Sequence, residues 1–332
     1  MRVILNEQSG ELKTLYGEVQ EPVASYLEHR AEDIEKEEAI AFKIFDKRMS
    51  NHRAENYRSA TEMDEMKPVG ENGPYPSTGY QEGYDKTIVN VTYKNSFAIS
   101  REMMDDNVLT SLGKQPDKLL RSYYRGRARD MFALLGNALQ GNETYVRNGW
   151  NFNAKSADGA CIFATDHKPK VFGADQSNLF SDELNEETLF TAMVRMRNMK
   201  DDNGNTLNLT PTGILIPSVA ALEKKVYQII ASYQTPGSSN NAINPLMGSL
   251  NIYVAPYLND FIGELSAPWI LIDENFNKNA DGAIYQERVE LEVSSHLGDH
   301  DENEWRAYAR YGIGVVDFRC MLAGGVPAGL SL

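Results

Sequence analysis

The chain has 332 residues, 42% of them hydrophobic, and its 33 basic side chains against 47 acidic ones leave a formal charge of −14. That length supplies a sizeable core for one large domain or two ordinary ones, and the mixed composition excludes a disordered or collagen-like chain. The acidic balance argues against a surface that grips nucleic acid by counterion release, and no apolar run approaches the roughly 18 to 20 residues that span a bilayer.

The first segment, MRVILNEQSGELK, has one short apolar patch and no small-residue cleavage site, so it does not read as a secretory signal and synthesis in the cytoplasm is expected. From Val19 to Ile40 the acidic run VQEPVASYLEHRAEDIEKEEAI takes helical composition after Pro22, with Val23, Tyr26, Leu27, Ile34 and Ile40 as a narrow apolar stripe. A polar excursion follows. Asp46 to Thr87 contains no Leu, Ile, Phe or Trp, and its larger apolar members include Val69, Tyr57, Tyr75, Tyr80 and Tyr84. Such a segment builds no core of its own. Its stretch MKPVGENGPYPSTGYQEGYDKT is turn chemistry, and YDKTIVNVTYKNSFAIS after it is rich in β-branched and aromatic residues, with Val89, Val91 and Tyr93 alternating. The economical reading is a long hairpin with the Gly/Pro-rich stretch near its tip.

Gly113 and Pro116 open a helix over 116–140, where Leu120, Tyr124, Ala128, Met131, Leu135 and Ala138 recur at spacings of three and four until Gly141-Asn142. Its polar face carries Lys118, Arg121, Arg125, Arg127 and Arg129, a basic stripe best matched to acidic segments of the same or a neighbouring chain. Ser181 to Lys200 reads as a second helix capped by Asn185, with Leu184 and Leu189 as a hydrophobic staple. A turn at DDNGN follows, then a strand at Gly213–Ile216 and a helix from Ser218, placed as its cap, to Ala231. SYQTPGSSNNAINP is a loop; strands follow at Leu250–Val254, Trp269–Ile272 and Val289–Val293, and in WRAYARYGIGVVDF. Helices and strands mix without a regular βαβ repeat, so the fold class is α+β.

The chain lacks GxSxG, GxxxxGK[ST] and GxGxxG patterns, and GIGVVDF at Gly312 has two of the three glycines and precedes a strand. His296 and His300 with Asp299 and Asp301 sit in a run that reads as loop, and DDNGN has its glycine out of calcium-loop register, so no metal site and no cofactor is expected. Cys161 and Cys320 lack CxxC spacing and read as small buried apolar residues. Asp166 beside His167 is an acid-base pair on paper, but no nucleophile motif accompanies it, so a hydrolase built on the two is disfavoured.

The order of these features resembles the major capsid proteins of tailed bacteriophages, the HK-ninety-seven-like fold, and is most similar to the Mu-like head subunits. The likeness is carried by YQEGYDKTIVNVTYKNSFAISREMMDDN (80–107), IFATDHKP (162–169) with SNLFS (177–181), TPTGILIPSVAALEKKV (210–226) and NPLMGSLNIYVAPYL (244–258). It implies an N-terminal arm at 1–45, an extended E-loop at 46–90, and a peripheral domain at 91–184 whose spine helix is 116–140. An axial domain at 185–303 and a return to the peripheral domain at 304–332 complete the set. Inter-subunit contacts are then expected from Tyr57, Lys67, Tyr75, Tyr80, Tyr84, Arg121, Arg125 and Arg129.

The resemblance further implies a virion protein, made in the host bacterial cytoplasm, whose main partner is itself, as hexamers and pentamers of a shell. The other expected partners are a portal, a scaffolding protein separate from this chain, decoration proteins, and packaged DNA touched without sequence specificity. Some family members join a lysine of this loop covalently to a neighbour's asparagine; Lys47, Lys67 and Lys86 are available here, but the sequence shows no acidic pocket for that chemistry. Within the same fold, an encapsulin-like cellular compartment is the alternative, against which the long excursion counts. A tail-tube protein, dominated by β-structure, is disfavoured by the three helices.

Overall fold

A computed structural model describes residues 4–5, 40–60, 66–77, 82–100, 102, 115–171, 173–233, 243–265, 267–297 and 302–327. Within these the strands are β1 (Ile4–Leu5), β2 (Asp46–Met49), β3 (Ala54–Ala60), β4 (Glu82–Val89), β5 (Val91–Ile99), β6 (Thr144–Arg147), β7 (Trp150–Asn153), β8 (Gly213–Pro217), β9 (Asn251–Ala255), β10 (Trp269–Ile272), β11 (Ala283–Leu297), β12 (Asn303–Val315) and β13 (Met321–Gly324). The helices are α1 (Ala41–Ile44), α2 (Gln115–Leu139), α3 (Glu186–Arg197), α4 (Ala220–Ile230) and α5 (Glu274–Asn279), with 3₁₀ turns at Pro256–Asp260 and Phe318–Cys320.

The period-3.6 run produces α2, 25 residues long and so about 38 Å at 1.5 Å per residue. Leu120, Tyr124, Met131, Leu135 and Ala138 are buried from it into the largest core, which they share with Tyr285, Val293, Ala307, Ala309, Tyr311 and Val315 of the central sheet. That sheet runs β1-β11-β12-β5, with β2 also paired to β11. β11 and β12 are antiparallel along nearly their whole lengths, with register shifts between Glu287 and Val289 and between Val289 and Glu292. On the other side β12 pairs antiparallel with β5, from Asn303 opposite Ile99 to Tyr311 opposite Val91.

The second sheet, β13-β10-β8-β9, is mixed: β8 and β9 are parallel and the other pairs antiparallel. Its strands GILIP, WILI and MLAG are buried at every position, the pattern expected of strands covered on both faces. Alternate residues serve different cores. Leu215, Ile270, Ile272, Met321 and Ala323 join the α2 core, while Ile214, Ile216, Leu271 and Leu322 join a second one under α3 and α4. The sheet is the wall between the two.

Asn185 caps α3 with a reciprocal pair of hydrogen bonds to Thr188, and Leu184 and Leu189 are both buried, as the staple requires. At α4 the expected cap is displaced: Val219 occupies the cap position with no side-chain bond, and the Ser218 hydroxyl donates instead to Glu223 at 2.7 Å. The strand read at Val289–Val293 extends to Ala283–Leu297. Cys161 and Cys320 are buried free thiols, and burial pushes both upward in pKa. The acidic run 19–39, His300 and the loop 234–242 lie outside the described residues.

Candidate assembly surface

β3 and β4 form a two-stranded antiparallel ladder of their own, with Ala54 opposite Val89, Tyr57 opposite Lys86 and Ala60 opposite Glu82. Beyond it the described tip, residues 66–77, is exposed throughout, with Met66 and Tyr75 fully so. None of the other described residues covers the tip. Lys67 is exposed with them, and Tyr80 lies outside the described residues.

The base of the hairpin is seated firmly on the body. On the inner face of β4, Lys86 and Ile88 are buried and Tyr84 half-buried, while Asp85, Thr87 and Val89 face outward. Ile88 packs with Ile284, Val316, Tyr57 and Ala157. Gly312 and Gly314 of β12 make the seat possible: a Cβ at Gly312 would lie 2.8 Å from the Val89 oxygen, and one at Gly314 2.8 Å from Ile88 Cδ1. The two glycines of GIGVV therefore serve close packing.

Polar contacts complete the seat. Gln286, fully buried, donates to the Ile88 carbonyl at 2.9 Å and to Asn90 Oδ1 at 2.8 Å, and accepts from the Tyr57 hydroxyl at 3.2 Å. Asn90 in turn donates to Ser50 Oγ and to the His52 carbonyl, each at 2.8 Å. At Asn90 the strand-rich stretch divides into β4 and β5. Lys86 donates to the Lys155 carbonyl at 2.7 Å, Tyr84 to the Lys168 carbonyl at 3.3 Å, and Lys170 to that of Gly83. Burial raises the phenols of Tyr57 and Tyr84, so both stay neutral donors through the physiological range. Glu55, held below the usual carboxylate range chiefly by the Asn51 N–H, closes the turn that enters β3.

The basic stripe of α2 divides. Lys118, Arg121 and Arg125 are exposed along one face. Arg129 bonds to Asp260 of the same chain at 2.7 Å. Arg127 departs from the sequence expectation altogether: it is fully buried, with its guanidinium 4.5 Å from the Phe42 ring centroid, 5.0 Å from that of Tyr124 and 5.6 Å from that of Tyr285. An aromatic cage around a desolvated cation is favourable through the ring quadrupoles. Its NH1 lies 4.0 Å from Glu287, itself fully buried and 2.8 Å from Lys47 Nζ.

Asp166 and His167 do not form the pair their adjacency suggested. Asp166 is exposed, whereas His167 is fully buried and stacked on Phe318, with centroids 3.6 Å apart. Its Nδ1 lies 2.6 Å from Asp158 and its Nε2 3.1 Å from Asn178 Oδ1. A base sealed in this way has no access to a substrate. Sequence reasoning missed Gln286, Asn90 and Asp158; a polar residue at an inward position of a strand, as Gln286 is, was the available signal.

A family model described as phage capsid protein matches residues 84–324, well over half of the chain. This chain belongs to the phage capsid protein family. Among solved structures of the fold, one from Mycobacterium phage Patience is 13% identical, with a TM-score of 0.53 over 98% of this chain and 93% of that one. The bacteriophage JBD30 capsid is 14% identical, with a TM-score of 0.51 over 66% of this chain and 90% of that one. The capsid of a native GTA particle is 13% identical, with a TM-score of 0.50 over 88% and 91%. No curated protein matches. The capsid protein is thus a structural subunit with the α+β, HK-ninety-seven-like fold, and family and fold together imply a structural protein rather than an enzyme. Among its described residues no helix is long and apolar enough to cross a membrane.

Proposed function

We propose that this major capsid subunit assembles with copies of itself, as pentamers and hexamers, into the closed head of a tailed phage around double-stranded DNA. The observation that carries the reading is the β3–β4 hairpin: its base is seated in its own chain, while its described tip presents Met66, Val69 and Tyr75 to solvent. A polar hairpin of this length gains nothing by projecting alone. Laid across an adjacent copy, it buries the tip side chains and adds area that a compact body could not reach. Contacts of modest strength, each made effectively intramolecular by its neighbours, then hold a closed shell.

In this reading residues 46–90 are the extended loop, α2 the spine helix, and the second sheet with α3 and α4 the axial portion. The axial domain covers 185–303 and the return to the peripheral layer 304–332, and the pairing of β11 with β12 along nearly its whole length supports grouping β11 with that return. Tyr57 and Tyr84 contribute indirectly by fixing the hairpin base; Lys67, Tyr75 and Tyr80 belong to the contacting limb. The exposed Arg121 and Arg125 pair with acidic segments of a neighbouring copy. A separate scaffolding protein, a portal and decoration proteins complete the set, DNA is touched without sequence specificity, and the subunit is made in the host cytoplasm before entering the virion.

Electron microscopy with sedimentation of the purified chain, expressed alone and with its neighbouring phage genes, tests this. Closed shells or rings of five and six are expected. A monomer or small dimer under every condition overturns the reading.

A further inference from the structure

The long connection between β7 and α3 folds around the ring of His167, and the hydrogen-bond directions at that ring define its protonation. Asn178 Nδ2 lies 2.7 Å from the Ile162 carbonyl and 3.3 Å from those of Phe318 and Met321. Asn178 Oδ1 accepts from the Ala164 N–H at 3.0 Å. Turning the amide over would set its NH₂ against an N–H and its oxygen against three carbonyls, so the atom facing His167 Nε2 is an acceptor. Asp158 faces Nδ1, and its other oxygen accepts from the Ser156 hydroxyl and the Ala160 N–H. Two donors on that oxygen, the Ser156 hydroxyl and the Ala160 N–H, favour the charged form of the group. Asp158 is a carboxylate. Both ring nitrogens thus meet acceptors at a side chain with no exposed surface, where a neutral imidazole has only one N–H to offer.

We propose that His167 is carried as an imidazolium whose second proton is a clasp, holding the 154–161 segment beneath the hairpin to the 318–321 connector. The segment is the hairpin's seat: Lys155 receives Lys86, Ala157 packs on Ile88, and the Ala157 N–H donates to the Val316 carbonyl at 3.0 Å. The connector side is the Phe318 ring stacked on His167 and the Asn178 bonds to Phe318 and Met321. Loss of the proton turns one of the two contacts into a lone pair facing a lone pair in a dry site, which loosens the seat. The inference concerns the single chain and stands apart from any assembly.

Charged and titratable groups from every neighbouring element bear on this ring. On its own segment they are Asp158 and Lys155, with the exposed Asp166 and Lys168 flanking. The connector brings Arg319, 5.0 Å from the centroid of Phe318 and bound to Asp317 and to Asp202 of the DDNGN turn. The hairpin brings Tyr84 and Lys86, both of which feel the charge of Asp158.

The test is nitrogen NMR of the full chain labelled at histidine, of which it has five, in solution or by magic-angle spinning if assembled. One imidazole is expected to hold protons on both nitrogens at pH 7.5, and that signal disappears in His167→Gln and in Asp158→Asn. Hydrogen exchange of 82–89 and 154–161, corrected for its intrinsic pH dependence, rises in wild type once the signal titrates away. Five histidines each with one protonated nitrogen at pH 7.5 would overturn the proposal, as would titration of the signal with unchanged exchange. Should His167→Gln not fold, Asp158→Asn alone decides.

Discussion

Lys86 Nζ donates to the carbonyl oxygen of Lys155 at 2.7 Å, joining the hairpin to a loop 69 residues later in the chain. Burial, with the charge of Lys155 second and Asp158 opposing, pushes this amine from 10.5 down to about 8. The folded chain therefore binds the proton more weakly than the unfolded one. Below about pH 8 both states hold it and the burial cost is fully present; between about 8 and 10.5 unfolding takes up a proton, so stability rises with pH. The gain across that window is on the order of 3 kcal/mol. Urea unfolding at pH 7, 8.5 and 10 should show this rise in wild type relative to Lys86→Met. Parallel pH profiles for the two proteins would refute it.

Arg127 and Glu287 are buried together, and removing Arg127 empties its aromatic cage and leaves Glu287 paired with Lys47, 2.8 Å away. Arg127→Ala is expected to lose up to about 3 kcal/mol of stability. Glu287→Gln in that background should cost less than it does in wild type, because the carboxylate has by then lost one of its two cations. Additive effects in the double-mutant cycle would mean that the aromatic cage alone holds the guanidinium.

Two glycines of α2 should respond in opposite directions. A Cβ at Gly126 meets nothing within 4 Å, whereas one at Gly136 would lie 2.5 Å from Phe261 Cβ and 2.7 Å from its carbonyl oxygen. Gly126→Ala should therefore stabilise by about 0.5 to 1 kcal/mol through helix propensity. Gly136→Ala should destabilise, since the Pro256–Asp260 turn and Phe261 must move off the helix. Thermal unfolding of both variants reads the signs directly.

Deleting Lys67 to Gln81 removes the tip and leaves Gln286, Asn90 and Lys86 in place. The variant is expected to fold with a near-native far-UV spectrum and to assemble poorly by electron microscopy. Normal shells from the deleted chain would show that the tip does not contact a neighbour.

What the sequence made legible was local. The spacing of Leu120 through Ala138 announces α2, Asn185 with its staple announces α3, and the apolar runs GILIP and WILI announce strands covered on both faces. The hairpin was visible because a long stretch without large aliphatic residues is flanked by β-branched ones. Arg127 was hidden because Phe42 and Tyr285, which complete its cage beside Tyr124, come from far away in the chain, while Arg121 and Arg125 on the same helix are exposed. His167 misled for a related reason: adjacent residues in extended chain point to opposite sides, so Asp166 turns to solvent and the true partner, Asp158, comes from nine positions earlier. Gly312 and Gly314 carry no signal until the strand that crosses them is known.

The hairpin enters the central sheet through one residue, Asn90, and β5 then runs beside β12 for nine paired positions. A tug on the tip directed along β5 loads that ladder lengthwise, so its rungs share the strain together instead of parting one after another. The side bonds of Asn90 to Ser50 and His52 tether the junction and resist its peeling sideways. A particle under internal pressure that pulled on this arm would be pulling against the strongest direction of the sheet.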